Sequence, residues 1–312
     1  MRIAFVVDPL DRLQPHHDTS VALMESLQAR GHEVYALEQS ALYFASGSTW
    51  ATVSRLQLNP HKQPWYVIAA TERLSLSQMD AVWMRKDPPV DAAYVTATQL
   101  LDAIGGSTLV LNDPAGLLAA NEKLFALQFD RWTPETVVTQ DKQTILDFVG
   151  DRDRAVLKPL DGKGGEGIFV LHAGDRNLKS LIEVSTQFGQ KPVMVQEYLP
   201  AAARGDKRIL LLDGKPLGAV NRIPGQGDFR GNVAAGGSVE AVEMTDRERQ
   251  MCEDLAPVLR QSKLYFVGID VIGECLTEVN VTSPTMLKEI AELNHQDLGA
   301  EVADWLERKL QE

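Results

Sequence analysis

The sequence predicts an α/β protein: an N-terminal doubly wound parallel sheet followed by a compact α+β unit. Three observations carry this. Residues 2–7 (RIAFVV) form an apolar run without alternation, as in a parallel strand buried on both faces. Residues 18–38 continue it as cap, helix, glycine stop and second strand, a β-α-β opening. Residues 135–197 then alternate short strands and helices around a glycine-rich loop.

In chain order, Asp18, Thr19 or Ser20 can cap a helix running to Arg30, which Gly31 stops. Strand 33–38 follows. Residues 59–77 carry no recognisable motif. Strand 80–86 leads into the turn Asp87-Pro88-Pro89, then a helix over 93–104 and a strand over 108–112. The first domain therefore ends near residue 120. A helix is expected over 121–130, then strand 135–139, helix 141–149 and strand 154–158. The glycine loop, strand 167–171, helix 177–188 and strand 192–197 complete that unit. Two strands are expected in 207–223 and a long glycine-rich loop over 224–237. Helix 245–263, kinked at Pro257, precedes a hairpin of strands 265–272 and 276–282. Helices near 285–293 and 296–310 follow, with no internal repeat and no low-complexity tract.

The totals bound the function. At ~150 residues per domain, 312 residues suggest about two domains. A hydrophobic share of 44% supports sizeable cores. A net charge of −12 argues against sequence-independent nucleic-acid binding, which needs basic surface. Two cysteines, Cys252 and Cys275, fit a reducing compartment and have no metal-ligand spacing. No run reaches the ~18–20 apolar residues of a membrane span, and MRIAFVVDPL reads as a strand rather than a signal peptide, so a cytoplasmic location is expected.

Two motifs carry chemistry. After Lys158, the glycines Gly162, Gly164, Gly165 and Gly167 fall within six residues. Glycine lets backbone N–H groups close on a phosphate. The loop joins two strands and lacks GxxxxGK[ST], so it is neither a P-loop nor a dinucleotide fingerprint. Lys123, Lys207, Arg208, Arg222 and Arg230 could meet the same anion collectively. The second motif is the hairpin. Glu278 and Asn280 are two apart and share a strand face. A three-residue loop, 273–275, would set Asp270 across from Glu278, whereas a two-residue loop would put them on opposite faces. In the first register three oxygen donors converge as for a Mg²⁺ site used with nucleotide phosphates. The competing reading is a hairpin with acidic residues on its solvated face.

MRKDPP (84–89), NEKLF (121–125), LKPLDGKGGEGIF (157–169), GDKR (205–208), RIP with RGNVAAGG (222–224, 230–237) and VGIDVIGECLTEVNVTSPT (267–285) occur in one order along the chain. Together they resemble the prokaryotic glutathione synthetase family of ATP-grasp ligases, over essentially the whole length. The resemblance implies an N-terminal α/β domain over 1–120, a small ATP-grasp lid subdomain over 121–200, and a C-terminal subdomain over 201–312 with the metal hairpin and a mobile lid at 224–237. It implies that Lys123 and Lys158 hold ATP phosphates beneath Gly164 and Gly165. It places Gln196, Glu197, Tyr198 and Leu199 at the adenine, and Asp206 on the nucleotide. Arg208, Arg222 and Arg230 are implied catalytic residues, and Asp270, Glu278 and Asn280 metal ligands for Mg²⁺ or Mn²⁺.

The implied reaction joins γ-glutamylcysteine to glycine through an acyl phosphate, in a homotetramer binding neither nucleic acid nor membrane. Arg85, Asp87, Ser283, Thr285 and Glu289 are candidates for the dipeptide, although Ser283 or Thr285 could simply cap the next helix. His16 and His17 read as solvated loop residues. The segment GQGDFRG departs from the polar lid the family leads one to expect. Two alternatives share most of these parts. One is another ATP-grasp ligase, D-alanine–D-alanine-like or glutamate-adding, which MRKDPP and RGNVAAGG disfavour. The other is a non-catalytic ATP-binding regulator, which would be expected to have lost a metal ligand or phosphate-facing cation.

Overall fold

The computed structural model describes residues 1–59, 62–105, 108–162, 164–225 and 236–312. Among these, the strands form three sheets. The first has the order β3-β4-β2-β1-β6-β7, with β5 added on β4. Its strands are β1 (Arg2–Val6), β2 (Glu33–Leu37), β3 (Leu42–Ala45), β4 (Ser48–Leu58), β5 (Tyr66–Ser75), β6 (Ala81–Met84) and β7 (Leu109–Leu111). The run β2-β1-β6-β7 is parallel, as the β-α-β pattern predicts. Helix α1 (Thr19–Ala29) packs on one face and α2 (Ala92–Asp102) on the other, so the sheet is doubly wound. Asp18 caps α1 by accepting from the Val21 N–H, and Gly31 leaves it with φ +80°.

The sequence reading missed the antiparallel extension. Residues 59–77, which showed no motif, contribute β5, paired antiparallel to the long β4. Only β4 shows clear alternation of buried and open positions; β5 is mostly open on both faces and lacks a period-2 signal. Helix α3 (Pro114–Ala119) closes this part.

The second sheet has the order β10-β9-β11-β8 and is antiparallel. It comprises β8 (Thr136–Thr139), β9 (Arg154–Pro159), β10 (Phe169–His172) and β11 (Val193–Glu197), with α4 (Lys142–Arg152) and α5 (Leu178–Ser185) over its own small core. The third sheet has the order β14-β13-β12-β15-β16. Its strands are β12 (Asp206–Leu212), β13 (Lys215–Ile223), β14 (Ser238–Ala241), β15 (Phe266–Ile272) and β16 (Cys275–Asn280). Helix α6 (Asp246–Gln261) starts with a Thr245/Glu248 capping box and runs through Pro257. Helices α7 (Leu287–Asn294) and α8 (Leu298–Lys309) end the chain and pack with α1.

Two expectations change. Residues 121–130 are not an α-helix but turns and a short 3₁₀ segment, Phe125–Gln128. The backbone is committed elsewhere: Asn121 Oδ1 accepts from the N–H groups of Lys123 and Leu124, and the Glu122 carbonyl accepts from Val279 N. The hairpin turn is also shorter than the favoured register required. Ile272 pairs with Cys275, leaving only Gly273 and Glu274 in the turn. Parity is restored by a bulge: Val271 pairs with Leu276 but Asp270 pairs with Glu278, so Thr277 is the extra residue. The Thr277 hydroxyl donates to the Asp270 carbonyl at 3.1 Å and fills the irregular spot.

Candidate active site

The third sheet carries a polar row across its strands. Arg208 on β12 lies opposite Asp270 on β15, which lies opposite Glu278 on β16. Asp206 and Arg222 pair one step along, and Gly268 pairs with Asn280 on the other side. The period of two puts all six polar side chains on one face. Gly268 makes room in the middle: a Cβ there would stand 3.1 Å from Arg208 Cδ and 3.0 Å from Pro284 Cβ.

The charges neutralise one another closely. Arg208 donates to both Asp270 oxygens, at 2.5 and 3.0 Å. Arg222 reaches Asp270 at 2.9 Å and Asp206 at 2.5 Å. Burial pushes Asp270 toward its neutral form, but Arg208 and Arg222 together outweigh it and hold the carboxyl below the usual range. For Asp206 burial wins and raises the pKa. Among the described residues its buried Oδ1 has no partner.

Two lysines approach this face, Lys123 from the turn before Phe125–Gln128 and Lys158 from strand β9 of the second sheet. Lys123 Nζ sits 3.1 Å from Glu278 Oε1 and donates to the Gly162 carbonyl at 2.9 Å. It therefore links the β15–β16 hairpin to the glycine loop, where Gly164, Gly165 and Gly167 all have positive φ. Lys158 Nζ donates to Gln196 Oε1 at 2.6 Å, and Gln196 Nε2 donates to Thr136 Oγ1 at 3.0 Å. Burial, aided by the Lys123 charge, lowers the Lys158 pKa against the pull of Glu278. Gln196 and Glu197 end β11; Glu197 pairs with the Glu135 backbone, and the Tyr198 ring lies 4.4 Å from the Arg154 guanidinium. Leu199 precedes a 3₁₀ turn. Arg230 and the rest of 226–235 lie outside the described residues.

The proposed metal ligands can be tested for fit. Asn280 Nδ2 is buried without a partner, as expected of an amide whose oxygen could turn toward a cation. Among the described residues no three His, Cys, Asp or Glu side chains gather as a self-sufficient metal site. Two carboxylates and an amide instead suit Mg²⁺, which keeps few protein ligands and completes its shell with phosphates and water. The residues fit the ion.

The substrate candidates lie where α1, β6 and α7 meet. Arg85 is buried; its Nε donates to Ser20 Oγ and its Nη2 to the Pro284 carbonyl, both at 3.0 Å. Its Nη1 has no partner, and burial lowers its pKa to about 10. Asp87 N donates to Asp8 Oδ2. Neither Ser283 nor Thr285 caps α7, whose N-cap is Met286 in a left-handed conformation with no side-chain bond. Glu289 takes His17 Nδ1 at 3.1 Å on one oxygen, while its other oxygen is buried and unpaired. His16 and His17 are exposed.

Sequence reasoning missed Glu122, Asn112 and Thr136, which touch these groups only through the tertiary fold. Glu122 Oε1 accepts from Val281 N, Thr282 N and Thr282 Oγ1. Burial and the nearby Glu278 charge raise its pKa. NEKLF held the signal, but Lys123 drew attention from its neighbour.

Comparison with known proteins decides the family. Models of the prokaryotic glutathione synthetase N-terminal domain and ATP-grasp domain match residues 1–117 and 122–295. The chain belongs to the prokaryotic glutathione synthetase family. A glutathione synthetase from Thermosynechococcus vestitus is 58% identical over 98% of this chain and 99% of its own length. One from Agrobacterium fabrum is 40% identical over 98% and 96%. In fold, the chain is similar to D-cycloserine synthetase DcsG, with a TM-score of 0.67 at 14% identity, covering 98% of this chain and 100% of that one. The ATP-grasp ligase PsnB, complexed with a precursor peptide and AMPPNP, gives 0.64 at 18%, covering 100% and 98%. The protein is an ATP-dependent ligase with the ATP-grasp fold behind an N-terminal α/β domain. Among the described residues no helix is long and apolar enough to cross a membrane.

Proposed function

We propose that this chain condenses γ-glutamylcysteine with glycine at the expense of ATP, through an acyl phosphate. The observation that carries the reading is the shared sheet face of Arg208, Arg222, Asp270, Glu278 and Asn280, with Lys123 arriving beside Glu278. The division into 1–120, 121–200 and 201–312 belongs to the same reading, as do a cytoplasmic location and a homotetramer.

A carboxylate acylates poorly because oxide leaves badly. A carboxylate oxygen of the dipeptide attacks the γ-phosphorus and ADP departs. The glycine nitrogen then attacks the acyl carbon, phosphate leaves, and the nitrogen gives up a proton. Phosphoryl transfer is mostly positioning and charge neutralisation. Lys123 and Lys158 hold the phosphates under Gly164 and Gly165, with Gln196 to Leu199 at the adenine and Asp206 on the nucleotide. Arg208 and Arg222 face the transferred phosphoryl and then the acyl phosphate. Glu278 and Asn280, with Asp270, would hold Mg²⁺, which would supply positive charge against the phosphates. Arg85, whose Nη1 has no partner among the described residues, takes a dipeptide carboxylate, with Asp87, Ser283, Thr285 and Glu289 around it. The test is ADP release with each component left out in turn. Release should require γ-glutamylcysteine, glycine and Mg²⁺ together; equal turnover with D-alanine and no thiol peptide would overturn the reading.

A further inference from the structure

We propose that Glu122 is a positioning residue that sets the register between Lys123 and the metal-holding end of the hairpin. Strand β16 is the last in its sheet and stops at Asn280. The N–H groups that follow it, on Val281 and Thr282, both donate to Glu122 Oε1, at 2.9 and 3.0 Å, and the Thr282 hydroxyl donates to the same oxygen at 2.8 Å. One residue earlier in the strand, Val279 N donates to the Glu122 carbonyl at 2.9 Å. One residue therefore binds the hairpin on both sides of Asn280, with its backbone before and its side chain after.

The consequence falls on the next residue. Lys123 is tied to the hairpin through Glu122, which puts its Nζ 3.1 Å from Glu278 Oε1 and 2.9 Å from the Gly162 carbonyl. From the opposite side Asn112 Nδ2 donates to the Val281 carbonyl at 2.8 Å, so the exit peptide is gripped at both its polar groups. The hairpin's turn end, beyond the bulge at Thr277, is tied by backbone instead: Leu276 N donates to the Trp132 carbonyl at 2.7 Å, ten residues past Glu122. The separation of phosphate lysine and metal ligands is thus fixed by an acceptor oxygen at one side-chain length. A shorter side chain loses it; a neutral side chain of equal length keeps it.

The inference rests on the metal reading of Glu278 and Asn280, and one experiment separates the two. Binding of Mn²⁺ in the presence of ADP is followed by the EPR signal of free Mn²⁺ in wild type, E278Q, E122D and E122Q. ADP binding in EDTA and thermal unfolding are measured on the same samples. E278Q should lose Mn²⁺. E122D should bind Mn²⁺ about 10–100-fold more weakly, the usual effect of removing a group that orients a ligand. E122Q should bind it nearly as wild type does, and ADP affinity in EDTA should be unchanged in both Glu122 variants. Wild-type Mn²⁺ affinity in E122D, alongside loss in E278Q, overturns the proposal. So does equal weakening in E122Q and E122D, or an E122D loss matched by equal loss of ADP in EDTA. Unchanged Mn²⁺ binding in E278Q instead overturns the metal reading beneath it.

Discussion

Arg222 and Arg85 are each 3% exposed, yet they stand in opposite electrical situations. Arg222 lies between Asp206 and Asp270, and those carboxylates outweigh its burial and raise its pKa. Among the described residues Arg85 bonds only a hydroxyl and a carbonyl, with the Phe266 ring 5.6 Å away. Asp18 and Asp87 act on it too weakly to offset burial. The sheet floor thus carries its own counterions. At the Arg85 end no carboxylate pairs with the guanidinium among the described residues. A buried charge without its partner is destabilising in isolation and favours whatever anion restores the pair.

The contrast breaks most completely at the bulge. Deleting Thr277 should slip the end of β16 by one residue and turn Glu278 and Asn280 to the other face. Turnover should fall to background, and Mn²⁺ binding with ADP should vanish. Retained turnover would mean that the hairpin reaches the same facing without its extra residue. Next in size is a matched pair of substitutions followed by urea unfolding. Arg222→Met strands buried Asp206, takes one of two cations from Asp270 and should destabilise by about 3–5 kcal/mol. Arg85→Met removes an uncompensated charge along with two hydrogen bonds worth about 1 kcal/mol each, so its net effect should be small. Equal losses would erase the distinction. In turnover, Arg85→Gln should raise KM for the thiol dipeptide about 10–100-fold, the loss of a charge-assisted bond, with a smaller effect on KM for ATP.

Legibility in the sequence divides along similar lines. The parallel strands, α1 with its Asp18 cap, and the hairpin strands were readable because period and capping are local properties. The row of Asp270, Glu278 and Asn280 was readable as residue types, but the device that aligns them was not. Parity pointed to a three-residue turn, and the chain uses a two-residue turn with a bulge at Thr277, whose hydroxyl meets a carbonyl seven residues earlier. Strand β5 escaped because only Leu74 and Ser75 at its end are buried. The 121–130 segment has helix-forming composition, but Asn121 and Glu122 give their polar groups to distant strands and loops. Tertiary hydrogen bonds overrode propensity there.

The smallest expected effect concerns acid, and it sharpens the comparison by assigning proton linkage to one region. Arg208 and Arg222 hold Asp270 below its unfolded pKa of about 3.9. A depressed carboxylate gives stability that is complete above the unfolded value and is lost as pH falls through the folded one. Asp206 is shifted upward and contributes with the opposite sign, so the two partly cancel. Asp270→Asn should therefore flatten the fall in unfolding free energy below about pH 4 relative to wild type. Arg85→Met should leave that slope alone, because Arg85 pairs with no carboxylate among the described residues and burial lowers its pKa only to about 10. Urea unfolding from about pH 5 down to about pH 2 follows the loss from its onset near the unfolded value. An unchanged slope in Asp270→Asn would place the acid sensitivity of the protein elsewhere, and the floor would then be a set of charges that folding does not discriminate from solvent.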